Sequence, residues 1–89
     1  MERVIITIHG RVQGVFFRHS ARVHAEKLGI SGTAENITDG SLRIIAEGRR
    51  ESLDELIAWC RSGPPLARVD GITLTWGEAT GTFKAFTIR

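Results

Sequence analysis

Two hydrophobic periods alternate along the chain. Val4, Ile6 and Ile8 stand at every second position between Ile5, Thr7 and His9, ahead of Gly10, which is the alternation of a β-branched, half-buried strand. A first strand is predicted over residues 3–10. From Phe17 the period becomes helical: Phe17, Ala21, His24 or Ala25, and Leu28 share one face, and Gly29 stands where a helix C-terminus favours a left-handed residue. A first helix is predicted over 17–28. Gly32–Ile37 and Leu42–Glu47 alternate on either side of Thr38-Asp39-Gly40-Ser41, and Asp-Gly between two such runs signals a hairpin. Leu53, Leu56, Ile57 and Cys60 then repeat at helical spacing, with Ser52 and Glu55 spaced as a capping box and Gly63-Pro64-Pro65 ending the pattern. Val69–Trp76 and Phe83–Ile88 read as strands around a glycine-containing turn at 77–81.

The predicted order is β-α-β-β-α-β with a short fifth strand at the end. That is the α+β plan of a ferredoxin-like split βαβ sandwich, an antiparallel sheet with two helices on one face. At 89 residues and 42% hydrophobic content, the expectation is one domain over residues 1–89.

Composition narrows the function classes. No apolar run of membrane-spanning length and no signal-peptide pattern occurs, so a soluble, cytoplasmic protein without membrane contact is expected. Cys60 is the sole cysteine, which rules out an intrachain disulfide and a thiolate cluster. Twelve Lys and Arg against ten acids leave a net charge of +2, too small an excess to indicate nucleic acid. Two other uses of the fold also fail. An RNA-recognition module needs stacking aromatics on its inner strands, and 4–10 and 41–48 contain none. A metal carrier would want paired cysteines after strand one, where this chain has Arg11-Val12-Gln13-Gly14-Val15-Phe16-Phe17.

That connection, from Gly10 to Arg18, carries the candidate chemistry. A helix N-terminus leaves backbone N–H groups unpartnered and bears partial positive charge, so an oxyanion there collects hydrogen bonds and favourable electrostatics together. Gly10 and Gly14 permit a sharp path and close approach, and the amides of Gln13, Gly14, Val15, Phe16, Phe17 and Arg18 are expected to converge on a phosphate-sized anion. Arg18 supplies a planar charged fork suited to phosphate. The rings of Phe16 and Phe17 are expected to pin the loop against the core and limit water.

The stretch Ile8–Arg18 resembles the signature of the acylphosphatase family in its glycines, Val12, Gln13, Val15, Phe17 and closing arginine. Gly32–Gly48 is similar to a second signature of that family, and the likeness extends through Gly63–Asp70 and the final Phe86–Arg89 to nearly the whole chain. The resemblance implies hydrolysis of a small-molecule carboxyl phosphate to carboxylate and phosphate, with no cofactor and no metal. By position it makes Arg18 and the 13–18 amides the phosphate holders, and Asn36 the residue that orients water. Asparagine suits that task, since its amide oxygen accepts from water while its NH2 donates to a phosphate oxygen. Inorganic phosphate or sulfate should compete, and the protein is expected to be a monomer. The alternative is a non-catalytic phosphate or carbamoyl-phosphate binding module.

Thr33 stands where the family usually has an aromatic, and Glu35 where a basic or neutral residue is usual. Strand alternation should send both to the face opposite Ala34 and Asn36, keeping the acid out of the anion pocket. His9, His19, His24, Trp59, Trp76 and Cys60 are read as packing or surface residues, Asp39 as a turn-former, and Arg49-Arg50 as a solvated turn.

Overall fold

The computed structural model describes residues 1–89. Its elements are β1 (Glu2–Arg11), α1 (Phe17–Lys27), β2 (Ser31–Asn36), β3 (Leu42–Gly48), α2 (Arg50–Cys60), β4 (Arg68–Glu78) and β5 (Phe86–Ile88). One five-stranded sheet runs in the order β4-β1-β3-β2-β5. Helix α1 lies over β2 and β5, and α2 over β1 and β3.

The sequence alternation explains the layering. Val4, Ile6 and Ile8 of the central strand meet Ala46, Ile44 and Leu42 of β3, and Trp76, Leu74 and Ile72 of β4, in register. All of the β1 and β3 members of this set are fully buried beneath the helices. From above, Phe17, Ala21 and Ala25 of α1 and Leu53, Leu56, Ile57 and Cys60 of α2 complete the core. Helix α1 ends as expected: Gly29 is left-handed, its amide donates to Glu26 O, and the Ile30 amide donates to Ala25 O.

Three expectations need correction. Helix α2 begins at Arg50 with Arg49 as its N-cap and no side-chain cap, so Ser52 and Glu55 form no capping box. Arg50 is not a solvated turn residue. Its guanidinium lies 3.8 Å from the Trp76 ring centroid and pairs with Glu2 and Asp54, and these contacts favour an earlier helix start than the local signal. Strand β5 covers only Phe86–Ile88 and pairs with β2 in parallel, so the sheet is antiparallel except at that edge. Residues 79–85 instead form a loop, anchored by Glu47 on the sheet's open face.

Candidate active site

The β1–α1 connection leaves the middle of the sheet, because β1 is paired on both sides. Register with β4 shifts between His9 and Gly10, and a Cβ on Gly10 would collide with the Arg68 carbonyl, so only glycine permits this close exit. Val12 and Val15 then turn inward and are buried, while Gly14 takes a left-handed φ of 73°. Phe17 is 2% exposed, with its ring edge-on to Trp59 at 5.3 Å. It pins the loop as expected. Phe16 does not: it is 73% exposed, the sole non-glycine residue with positive φ, at φ 64° and ψ 23°.

Phe16 is also the N-cap of α1 and offers no capping side chain, and the first turn contains no acid. Serine or aspartate at this place would occupy the free amides. The amides of residues 13–18 make no hydrogen bond to any backbone carbonyl, so the helix start is left open to an outside acceptor.

A cleft of about 270 Å³ opens over this helix start. Gly14, Phe16, Phe17 and Arg18 line it from the loop side, and Asn36 and Ile88 from the ends of β2 and β5. Val12 and His19 complete the wall, so His19, read from sequence as a bland surface residue, stands at the cleft. The side chains of Gln13 and Val15 are not part of the lining. Gln13 Nε2 donates instead to the carbonyls of Ile37 (2.7 Å) and Ser41 (3.0 Å), tying the loop to the β2–β3 hairpin beside Asn36. That hairpin is itself held by Asp39, whose Oδ1 accepts from the Ser41 amide and hydroxyl.

Arg18 is oriented across the fold: its Nη1 donates to the Arg89 carbonyl at 2.6 Å, leaving the other guanidinium donors for a ligand. Asn36 lies on the helix-side face, opposite Leu42, whereas Glu35 pairs across with Arg43 and makes a 2.9 Å ion pair away from the cleft. No acidic side chain lines the cleft. Asn36 Oδ1 is the one buried side-chain polar atom without a hydrogen-bond partner. Sequence reasoning has the amide oxygen facing water, but here the oxygen is the inner atom. A half-turn of the carboxamide exchanges its two ends, and an orphaned buried polar atom marks a place where a ligand or water completes the bonding. Cys60 is no candidate nucleophile, since burial pushes its thiol up to about 12. His24 stacks on Trp59 with centroids 4.4 Å apart, between the helices.

An α+β sandwich with an uncapped helix start, a tethered arginine and an unsatisfied asparagine amide on one cleft defines an anion-handling domain. The chain belongs to the acylphosphatase family, whose profile matches residues 4–88. It is 48% identical over 88 residues to the acylphosphatase of Methylococcus capsulatus, covering 99% of this chain and 96% of that protein. The crystal structure of acylphosphatase from Bacillus subtilis superposes with a TM-score of 0.96 at 31% identity, over 100% of this chain and 99% of that one. Full-length HypF in its phosphate- and nucleotide-bound form matches with a TM-score of 0.90 at 29% identity, over 99% of this chain but 12% of that much longer one.

Proposed function

We propose that the amides of residues 13–18 and the Arg18 fork hold the phosphate of an acyl phosphate while Asn36 places the attacking water. The reaction is hydrolysis of a carboxyl phosphate to carboxylate and inorganic phosphate. Its supporting observation is the convergence on one cleft of the free helix start, Arg18 and the unsatisfied Asn36 amide.

The chemistry asks little of a base. Carboxylate is a good leaving group, so catalysis consists of aligning water in line with the scissile P–O bond and stabilising charge on the equatorial oxygens. Preorganised amides and a charged fork do the second. The Asn36 oxygen, turned outward, accepts a hydrogen bond from the water and so directs a water lone pair at phosphorus, while the amide NH2 donates to a phosphate oxygen. Water attacks phosphorus, the P–O bond to the acyl oxygen breaks, and the electron pair leaves with the carboxylate. One water proton passes to solvent, so no side chain ends the cycle altered. The reading includes a monomer acting in the cytoplasm on a small-molecule substrate, with phosphate and sulfate competing for the cradle; no helix is long and apolar enough to cross a membrane.

Phosphate release from benzoyl phosphate by wild-type, Arg18→Gln and Asn36→Ala proteins tests the roles. Arg18→Gln should lose about 10²–10³ in kcat/KM and weaken competitive inhibition by phosphate, the scale of one removed oxyanion donor. Asn36→Ala should lose kcat by a similar factor while phosphate inhibition stays near wild type. Equal loss of phosphate affinity in both variants would remove Asn36 from the water-orienting role. A folded wild-type protein that binds phosphate without turnover would favour the binding-module alternative.

A further inference from the structure

We propose that the exposed ring of Phe16, together with Ile88, forms the acyl-recognition wall of the cleft and selects acyl phosphates with an apolar, flat acyl group. This rests on the phosphate-holding reading above and extends it to the other half of the substrate.

Phosphate needs the amides and Arg18, and a phosphate group fills only part of a cleft of about 270 Å³. What remains must receive the acyl group. Half of the eight lining residues are hydrophobic: Val12, Phe16, Phe17 and Ile88. Val12 and Phe17 are committed to the core at 1% and 2% exposure, so Phe16 and Ile88 present the apolar surface that a ligand can cover.

Phe16 has no structural employment that accounts for it. A bulky residue in the left-handed region is strained, and strain of this kind persists where the site, rather than local packing, determines the conformation. With the residue 73% exposed, little packing energy returns to offset the strain. As N-cap it makes no capping bond. The same backbone twist that strains Phe16 carries its ring to the rim, one residue before the Phe17 ring dives into the core. An aromatic face at that place stacks on a flat acyl group as its phosphate enters the cradle, and the ring shields the acyl side from bulk solvent while leaving the attacking water its in-line approach. His19 is the one polar cleft residue that neither holds phosphate nor orients water in this reading, and by itself it would favour a polar acyl group.

The test compares benzoyl, acetyl and carbamoyl phosphate as substrates, and the hydrolysis-resistant benzoylphosphonate and acetylphosphonate as ligands, with wild-type, Phe16→Asn and Phe16→Tyr proteins. Asparagine tolerates the left-handed backbone, so that substitution removes the ring without imposing new strain. The readout is the ratio of kcat/KM for benzoyl over acetyl phosphate, which cancels any change in the shared phosphate cradle or in folded fraction. Wild type should prefer benzoyl phosphate over both others. Phe16→Asn should lower the ratio about tenfold, on the scale of a lost aromatic pair, with most of the change in KM. Phe16→Tyr should keep it. The same ratio of Kd values for the two phosphonates should fall in parallel. An unchanged ratio in Phe16→Asn, or a wild-type preference for carbamoyl phosphate, overturns the acyl wall while leaving hydrolysis intact. Absence of turnover with all three substrates would instead defeat the hydrolase reading, and the phosphonate ratio would then decide on the wall alone.

Discussion

At the scale of single residues, the site is built from side chains whose local preferences are disregarded. An N-cap is normally a small polar residue, and here it is Phe16, held left-handed and without a cap bond. Strain of this type amounts to about 1–3 kcal/mol. Glycine adopts the same conformation freely, offset by roughly 0.5–1 kcal/mol of backbone entropy. Phe16→Gly should therefore raise stability by about 1 kcal/mol, a gain of roughly 4–8 °C in Tm for a domain of this size, although it deletes an aromatic residue. Thermal unfolding followed by circular dichroism measures this; a lower Tm would mean that the ring holds the fold, contrary to its exposure. Asn36 follows the same logic: its buried oxygen has no partner, a cost of about 1–3 kcal/mol that the proposed bound water would remove. Apolar replacement at Asn36 should cost activity far more than stability.

At the scale of elements, the important link is between the β1–α1 loop, the proposed phosphate cradle, and the hairpin that follows β2. Gln13 joins them through two carbonyls, 24 and 28 residues further along the chain. Gln13→Met keeps the length of the side chain but loses both bonds, so stability should fall by about 1–3 kcal/mol. Because the hairpin also positions Asn36, kcat should drop while KM for the acyl phosphate changes little; urea denaturation and steady-state kinetics separate the two effects. A drop confined to stability would show the clasp to be structural only. The contrast between Phe16 and Phe17 illustrates what the sequence could reveal. The strand and helix periods, the Asp-Gly hairpin and the glycine after α1 are local signals, and each produced its element close to where it was expected. Phe17 lies on the helical period and its burial was legible. Phe16, its neighbour, falls off that period, and nothing in phenylalanine signals a left-handed N-cap. Arg50 at the start of α2 answers to Trp76 and Glu2, and β5 lies parallel to β2, through contacts that no local window contains. The candidate site was legible as a set of positions because its residues cluster in one loop and one strand end, whereas the His19 contact with the cleft and the Arg18–Arg89 tether depend on the closed fold.

At the scale of the whole molecule, the two ends of the sheet are coupled through Glu47. This carboxylate is 3% exposed on the open face and accepts from the Thr80 amide at 2.8 Å, the Thr80 hydroxyl at 2.9 Å and the Gly81 amide at 3.0 Å. It thereby fixes the loop that delivers β5, and β5 brings Ile88 and the Arg89 carbonyl to the cleft at the far end. Burial raises the pKa of Glu47 by favouring the neutral form, but the three donors and the Arg3 charge outweigh it and hold the carboxyl below its ordinary 4.5. Asp39 is likewise lowered, from 3.8, chiefly by the hydrogen bond from the Ser41 hydroxyl and then by that from the Ser41 amide. A carboxylate with a depressed folded value stabilises the native state above its unfolded value and loses that contribution as pH falls through the folded one. The Tm should therefore be insensitive to these two groups between pH 7 and about pH 5 and decline below about pH 4.5. Glu47→Gln cannot match a carboxylate against three donors, and its loss of about 1.5–3 kcal/mol should lower Tm at pH 7 by on the order of 10 °C. The gap between the two proteins should narrow as pH falls below about 4.5, because the wild-type protein loses the contribution of its carboxylate there and the variant has none to lose. Parallel Tm curves from pH 7 to pH 3 would place the acid sensitivity elsewhere. A narrowing gap accompanied by weakened phosphate inhibition in Glu47→Gln would show that the loop anchored on the open face governs how firmly Arg18 is held across the molecule.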